Sequence, residues 1–354
     1  MKSKNSHRDE NPCGCFALGG MIINYNRTFR ISSVKEWYNK SRKSLQNSVV
    51  SGRRGTMIEK IKELFPEHKV ELLDKGWSLD KKYLLSGSEG KFTLRISEKK
   101  SVEKQMEEYD AIASIDSVNQ IIRPVSYGAL DEVHSYIIYN YVEGNDLKEV
   151  ICSLDPILQY DLGIQAGIIL CKIHEVEKPG FEDVKTRYNR KITDKITAYR
   201  EGTVKMEKLE AYIPFLAENR HLLDERPTVL LHGDYHLGNM VVRNEKVYII
   251  DFNRYDFGDP YEEFDRMTMN SSFSPQFSKG LLHGYFKGVP PMTFWKLLKL
   301  YAVTNAVGSI PWAEKYSPDS MGFIFKMIDN TLADYADTST PIPYWYKKLI
   351  GLYE

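Results

Sequence analysis

Within LLHGDYHLGNMVVRNEKVYIID, residues 230–251, Asp234 stands five residues before Asn239 and seventeen before Asp251. A carboxylate followed by an amide and a second carboxylate suits chemistry on a magnesium-bound nucleotide. Phosphoryl transfer asks little covalent help of a protein: one carboxylate to orient the attacking hydroxyl and accept its proton, and oxygen ligands to hold Mg²⁺ on the phosphates. Asp234 fits the first task, and Asn239 with Asp251 the second, because magnesium prefers hard oxygen donors and keeps waters and phosphate oxygens in its shell. The same stretch places His232 and His236 on either side of Asp234, which also suits a metallohydrolase in which a metal-bound water attacks a phosphoester. Such a site recruits further His or Asp ligands, and His7, His68, His134, His174, His221 and His283 are scattered singly. His232 therefore reads as a buried brace for the loop, and Asn244, in RNEK, as a turn former.

The elements that must position these residues follow from periodicity and punctuation. From Lys69, KVELLDKG, KKYLLS and KFTLRIS read as short strands, with the turn-forming SGSEG between the second and third. A helix from about Val102 to Ser114 follows, and then IIRPVSYG and HSYIIYNYV read as two more strands. After Glu143-Gly144 the pattern changes to long helices; Leu158, Leu162, Ala166, Ile169 and Ile173 fall on one face at helical spacing. Only the opening motif, with its own two short strands, interrupts the helices. The expected class is α+β: an N-terminal lobe over 57–143 with a five-stranded antiparallel sheet and one helix, and a larger, mainly helical lobe over 144–354. Residues 1–56, rich in Ser, Asn, Gly and Lys/Arg, read as a flexible basic tail. Met57 opens the amphipathic stretch MIEKIKELFPEH, and as an initiator-like methionine it leaves open a start downstream of that tail.

Bulk properties narrow the partners. Lys+Arg and Asp+Glu are both 48, so net charge gives no support for a nucleic-acid or membrane-surface partner. The tail carries eleven basic and three acidic residues, which leaves the rest of the chain net acidic. The four cysteines, with Cys13 and Cys15 as a lone CxC, do not make a disulfide framework, and a reducing, cytoplasmic setting fits them. No apolar run approaches the roughly 20 residues a membrane-spanning helix needs.

Taken together, GWSLDKKY, LRIS, NYVEGNDL, HGDYHLGN and IIDFNRYDFGDPYEEF, in that order, resemble the aminoglycoside phosphotransferase and choline kinase family, from about Glu71 into the C-terminal region. The resemblance implies a two-lobed, protein-kinase-like fold and an ATP- and Mg²⁺-dependent small-molecule kinase. It implies Asp234 as the catalytic base and Asn239 and Asp251 as the magnesium ligands. In the small lobe it implies that Gly76 and Ser78 cap phosphates, that Arg95 stands where many kinases place a phosphate-contacting lysine, and that Glu108, or Glu107 in a register shifted by one, is its partner. Arginine keeps the charge but changes its geometry. Asn140, Tyr141 and Val142 would form a hinge offering backbone groups to adenine.

The sequence departs from the protein-kinase pattern: Gly233 precedes the catalytic aspartate, Asp251-Phe252-Asn253 replaces Asp-Phe-Gly, and no Ala-Pro-Glu follows. A small-molecule acceptor with a hydroxyl group is expected over a protein one. An aminoglycoside-like antibiotic or related metabolite leads, with choline-like amino alcohols and sugar metabolites as the alternative; a phosphoesterase and a non-catalytic nucleotide-binding module are the readings from other classes. Glu262, Glu263 and Asp265 are candidate contacts for a cationic acceptor, although a solvated helix face explains the same charge run. Asp259-Pro260 reads as a turn with a capping aspartate. Donor choice between ATP and GTP, and oligomeric state, are not written in these residues.

Overall fold

The computed structural model describes residues 56–73, 80–178, 181–337 and 339–351. The tail up to residue 55 lies outside these, as do Gly76 and Ser78. The chain divides into two compact units: one runs to Asp116 and resumes over Ile121–Val142, and the other takes Ser117–Gln120 and everything from Glu143 onward.

The first unit begins with α1 (Met57–Leu64), closed by a capping box in which the Thr56 hydroxyl accepts from the Glu59 N–H and the Glu59 carboxylate accepts from the Thr56 N–H. Its strands are β1 (Lys69–Leu73), β2 (Lys81–Gly87), β3 (Gly90–Ser97), β4 (Pro124–Ala129) and β5 (Ser135–Asn140), with α2 (Val102–Ala113) between β3 and β4. They form one antiparallel sheet in the order β1-β2-β3-β5-β4. The core follows from strand alternation: Tyr83 and Leu85 of β2, Leu94 and Ile96 of β3, and Tyr136 and Ile138 of β5 point to one side, where Ile61 and Leu64 of α1 and Phe65 just after it meet them.

The second unit is mainly helical. Its main helices are α3 (Pro156–Ile173), α4 (Val184–Glu201), α5 (Met267–Phe273), α6 (Pro275–Phe286), α7 (Met292–Tyr316), α8 (Met321–Asp334) and α9 (Tyr344–Leu349). The short strands β6 (Asn145–Asp146), β8 (Met240–Arg243) and β9 (Lys246–Ile249) make a three-stranded sheet, and β7 (Val229–Leu231) pairs with β10 (Asp256–Gly258). Patterning alone anticipates the β8–β9 pair; β6, β7 and β10 are three residues or fewer and too short to show a period.

The closest packing joins α3 to α6. The face of α3 anticipated from periodicity is buried at Leu162, Ala166, Ile169 and Ile173, and Gly163 and Gly167 lie buried with them. Gly280 and Gly284 repeat the spacing of four on α6, and each of the four glycines lies against the backbone of the opposite helix. Among the described residues no helix is long and apolar enough to cross a membrane.

Candidate functional site

The β8–β9 hairpin brings two of the three motif residues together. Its turn consists of Asn244 (φ 50°) and Glu245 (φ 57°), both left-handed, which is the backbone twist a two-residue hairpin loop requires. In this register Met240 pairs with Ile249, and one step further out the Ile250 N–H donates to the Asn239 carbonyl at 3.0 Å. Asn239 and Asp251 thus flank the open end of the hairpin, and the length of its turn sets their alignment. Asp251 itself is left-handed, at φ 67°, a conformation that aspartate tolerates better than most side chains.

Asp234 is tied to this end of the hairpin through Asn239, whose Nδ2 donates to the Asp234 carbonyl at 2.9 Å. A carbonyl only accepts, so the amide nitrogen must face it, and Asn239 Oδ1 is left for another partner. With the Asp251 carboxylate, that makes a hard-oxygen donor pair of the kind Mg²⁺ takes. Asn239 and Asp251 are the residues that would hold the ion.

The loop carrying Asp234 is braced from three sides. His232 is fully buried; its Nδ1 accepts from the Asp234 N–H at 3.3 Å, and its Nε2 donates to the Ile250 carbonyl at 2.9 Å. Gly233 is at φ +83°, and a Cβ there would lie 1.8 Å from the Arg254 carbonyl, so only glycine lets the Asp251–Arg254 segment approach. Tyr235 donates to the Ala166 carbonyl of α3 at 2.7 Å. His236 Nδ1 accepts from the Gly238 N–H at 3.0 Å. Hydrogen bonds to the loop and the hairpin thus occupy both His232 nitrogens and His236 Nδ1, and among the described residues no group of three or more His, Cys, Asp or Glu side chains is placed to hold a metal. The metallohydrolase reading lacks its ligands here.

Around the Asp234 carboxylate stand Arg266 Nε at 3.3 Å and His236 Nε2 at 3.5 Å, both on Oδ1, and Arg254 Nη1 at 3.7 Å on Oδ2. Burial alone would raise this carboxyl, but His236, Arg266 and Arg254 outweigh it and hold the group well below the usual carboxylate range. Sequence reasoning missed both arginines. Arg254 lies three residues after Asp251, a signal that was available; Arg266 carried none.

The three acidic residues considered for a cationic acceptor have protein partners. Glu263 is buried and accepts from the His232 N–H at 2.6 Å and the Gly233 N–H at 2.9 Å. Glu262, also buried, is paired with Arg187 at 3.0 Å and with Lys191. Asp265 lies 3.6 Å from Arg266. Arg187, Lys191 and Lys195 of α4 line an open cleft of about 380 Å³ together with Asp256. Asp259 is a buried hub: it caps the turn by accepting from the Tyr261 N–H at 2.7 Å, and it takes Arg226 at 2.6 Å and the Tyr301 hydroxyl at 2.7 Å.

Glu263 yields a pH prediction. Burial pushes its carboxyl up to about 7 against the pull of the His232 ring and the two loop amides. An acid raised on folding binds more protons folded than unfolded between its two pKa values, so its contribution to stability falls as pH rises from about 4.5 to about 7, by on the order of 3 kcal/mol. Protonated Glu263 can keep both amide bonds while its proton faces His174 Nε2, which is 3.8 Å from Oε2 and has no hydrogen-bond partner among the described residues. Glutamine must surrender one of the two amides. Glu263→Gln is therefore expected to be less stable than the parent at pH 5 by about 1 to 3 kcal/mol, with the gap closing towards pH 7. Urea midpoints at both pH values test this, and parallel pH profiles would count against it.

In the first unit, Arg95 is buried. Its guanidinium meets Glu108 Oε2 at 2.5 Å and Asp80 at 3.4 Å. Lys100 shares that Glu108 oxygen at 2.7 Å, and the Tyr139 hydroxyl donates to the other. Glu107 faces outward to Lys104 at 2.7 Å. Of the residues expected to offer backbone groups to adenine, the Asn140 N–H donates to the Arg123 carbonyl and the Tyr141 N–H to the Lys91 carbonyl, both at 3.0 Å. Those two amides are spent within the unit.

Residues 69–295 match the family model described as "Phosphotransferase enzyme family". Among solved structures, a thermostable mutant of aminoglycoside phosphotransferase APH(4)-Ia in its apo form is similar, with a TM-score of 0.61 at 14% identity, covering 79% of this chain and 99% of that one. The GDP complex of aminoglycoside 2'-phosphotransferase-IIIa gives 0.60 at 15% identity over 77% and 97%. The streptomycin–ATP ternary complex of APH(2")-IIa gives 0.57 at 17% identity over 78% and 96%. The fold is that of these aminoglycoside phosphotransferases. Among curated proteins, none matches the sequence.

Proposed function

The chain belongs to the phosphotransferase enzyme family, and on that premise we propose that it is an ATP- and Mg²⁺-dependent small-molecule kinase acting in the cytoplasm on a hydroxyl of an aminoglycoside-like antibiotic or related metabolite. The observation that carries the reading is the tie between Asp234 and Asn239 at the open end of a hairpin whose other strand leads into Asp251. Asp234 orients the acceptor hydroxyl and takes its proton; Asn239 and Asp251 supply hard oxygen ligands. Bound there, Mg²⁺ would neutralise charge on the phosphates as the bond to the leaving nucleotide breaks. The ATP bound to one similar structure and the GDP bound to another support a nucleoside triphosphate donor. Phosphorylation of an antibiotic would make the chain a resistance enzyme.

Purified full-length chain with Mg·ATP, offered hydroxylated antibiotics, amino alcohols and sugars one at a time, is expected to release ADP at least about tenfold faster with its acceptor than without one, a modest fraction of what positioning two reactants can supply. No acceptor-dependent release across the panel, together with hydrolysis of a model phosphoester in the absence of nucleotide, would replace this reading with the phosphoesterase one.

A further inference from the structure

The surroundings of Asp234 are lopsided. Arg266 Nε at 3.3 Å and His236 Nε2 at 3.5 Å both stand on Oδ1, whereas Oδ2 has only Arg254, at 3.7 Å. The two arginines also differ in freedom. The Arg254 side chain is 45% exposed and that of Arg266 is 21% exposed. Arg266 closes the short helix Glu262–Arg266 and leads into α5. Phe264 and Met267, on either side of it in sequence, are buried at 2% exposure each, so its backbone cannot shift without opening the core. Asp265 Oδ1 lies 3.6 Å from the same Arg266 Nε. His236 is fixed through the Gly238 N–H, which engages Nδ1 and leaves Nε2 to carry the proton towards Asp234.

From this geometry, and resting on the assignment of Asp234 as the base, we propose that Arg266 is the positioning residue of the reaction. With His236 it anchors Oδ1 of Asp234, so that Oδ2 is the oxygen presented to the acceptor hydroxyl. A carboxylate on a two-bond side chain can turn about both bonds, and a base must meet its proton within about 2.6 to 3.2 Å. Anchoring one oxygen from a rigid element removes that freedom before the acceptor arrives, while the exposed Arg254 leaves the approach to Oδ2 open. Lysine at 266 would keep the charge but lose the guanidinium plane that sets the angle, which predicts partial rescue.

Two measurements on the full chain test this. The first is Mg·ATP turnover with water as the acceptor, followed as ADP release. Arg266→Gln should lower kcat by about 100-fold, the cost of roughly 1 Å of misplacement, with the KM for ATP within about threefold of the parent, and Arg266→Lys should recover most of the loss. A Gln variant that folds and turns over at the parent rate overturns the proposal, and so does a loss carried entirely by KM. The second is the crystal structure of Arg266→Lys and, where it folds, of Arg266→Gln. Asp234 should swing off its parental orientation in the Gln variant and stay near it in the Lys variant; an unmoved carboxylate in Gln, or a carboxylate displaced equally in Lys, overturns the proposal. If the parent and Asp234→Asn release ADP equally slowly with water, the base assignment is decided by acceptor-dependent transfer, and the crystal structures decide separately whether Arg266 orients the carboxylate.

Discussion

Asp234→Asn is expected to lower acceptor-dependent phosphoryl transfer by about a thousandfold or more, within the range that a positioned acid–base group contributes, while nucleotide binding and folding survive. Asparagine is nearly isosteric with aspartate, so the loop keeps its shape: the backbone groups that hold it, the Asp234 carbonyl under Asn239 and the Asp234 N–H on His232, do not depend on the carboxylate. What is lost is the negative charge facing Arg266, His236 and Arg254 and the acceptor for the hydroxyl proton. The amide can present either its oxygen or its nitrogen to Arg266, and only one of these is an acceptor, so the orienting role goes with the proton-accepting one. Transfer measured as phosphorylated acceptor, together with a nucleotide-binding titration on the same sample, separates the effects. Retention of even a tenth of the parental turnover would remove Asp234 from the base position.

The hairpin shows how much of this site could be read in advance. Asn239, Asp251 and the RNEK turn lie within thirteen consecutive residues, and alternation plus a two-residue turn dictates that such a segment folds back on itself. Local sequence is enough there because the contacts that close the hairpin are local, even though Gln165 and β6 brace it from a distance. The pairing of Arg95 with Glu108 was anticipated only by resemblance, and its geometry rests on β3 and α2 meeting in space. Glu263 and Arg266 belong to a different category. In sequence they are members of an acidic run ending in a base, indistinguishable from a solvated helix face, and the short helix from Glu262 has no helical period to reveal which side is buried. Their roles arise when that helix reaches the Asp234 loop, about 30 residues away along the chain, where Glu263 finds two free amides. Burial decides the role, and burial here is a long-range property. The glycines of α3 and α6 lie between these extremes: the repeated spacing of four was visible, but apolar periodicity draws the eye to large side chains.

Those glycines carry the largest expected effect on stability. On an exposed helix, replacing glycine by a better helix former stabilises by about 0.5 to 1 kcal/mol, because glycine has the most backbone freedom to lose. At Gly167 the opposite sign is expected. A Cβ there would stand 2.2 Å from the Leu281 carbonyl and 2.6 Å from the Tyr285 N–H nitrogen, and one at Gly163 would stand 2.1 Å from the Phe277 carbonyl. These are backbone atoms of a packed helix, so no side chain can rotate away, and relief requires α3 and α6 to move apart along their length. Interiors packed to crystal-like density resist this, at about 1 to 3 kcal/mol or more for each overpacked site. Gly167→Val, which adds β-branching to the overlap, is expected at the upper end of that range. The cost would extend to the site, because the neighbouring Ala166 carbonyl holds the Tyr235 hydroxyl and the end of α3 places His174 on the Tyr285 hydroxyl of α6 at 2.9 Å. Gly322 provides the control: it is exposed near the start of α8, and a Cβ added there would meet nothing within 4 Å, so Gly322→Ala should be neutral or slightly stabilising. Thermal or urea unfolding of the Gly167→Ala, Gly167→Val and Gly322→Ala proteins tests the ranking. If Gly167→Ala proved as stable as Gly322→Ala, α3 and α6 could not be in backbone contact as described.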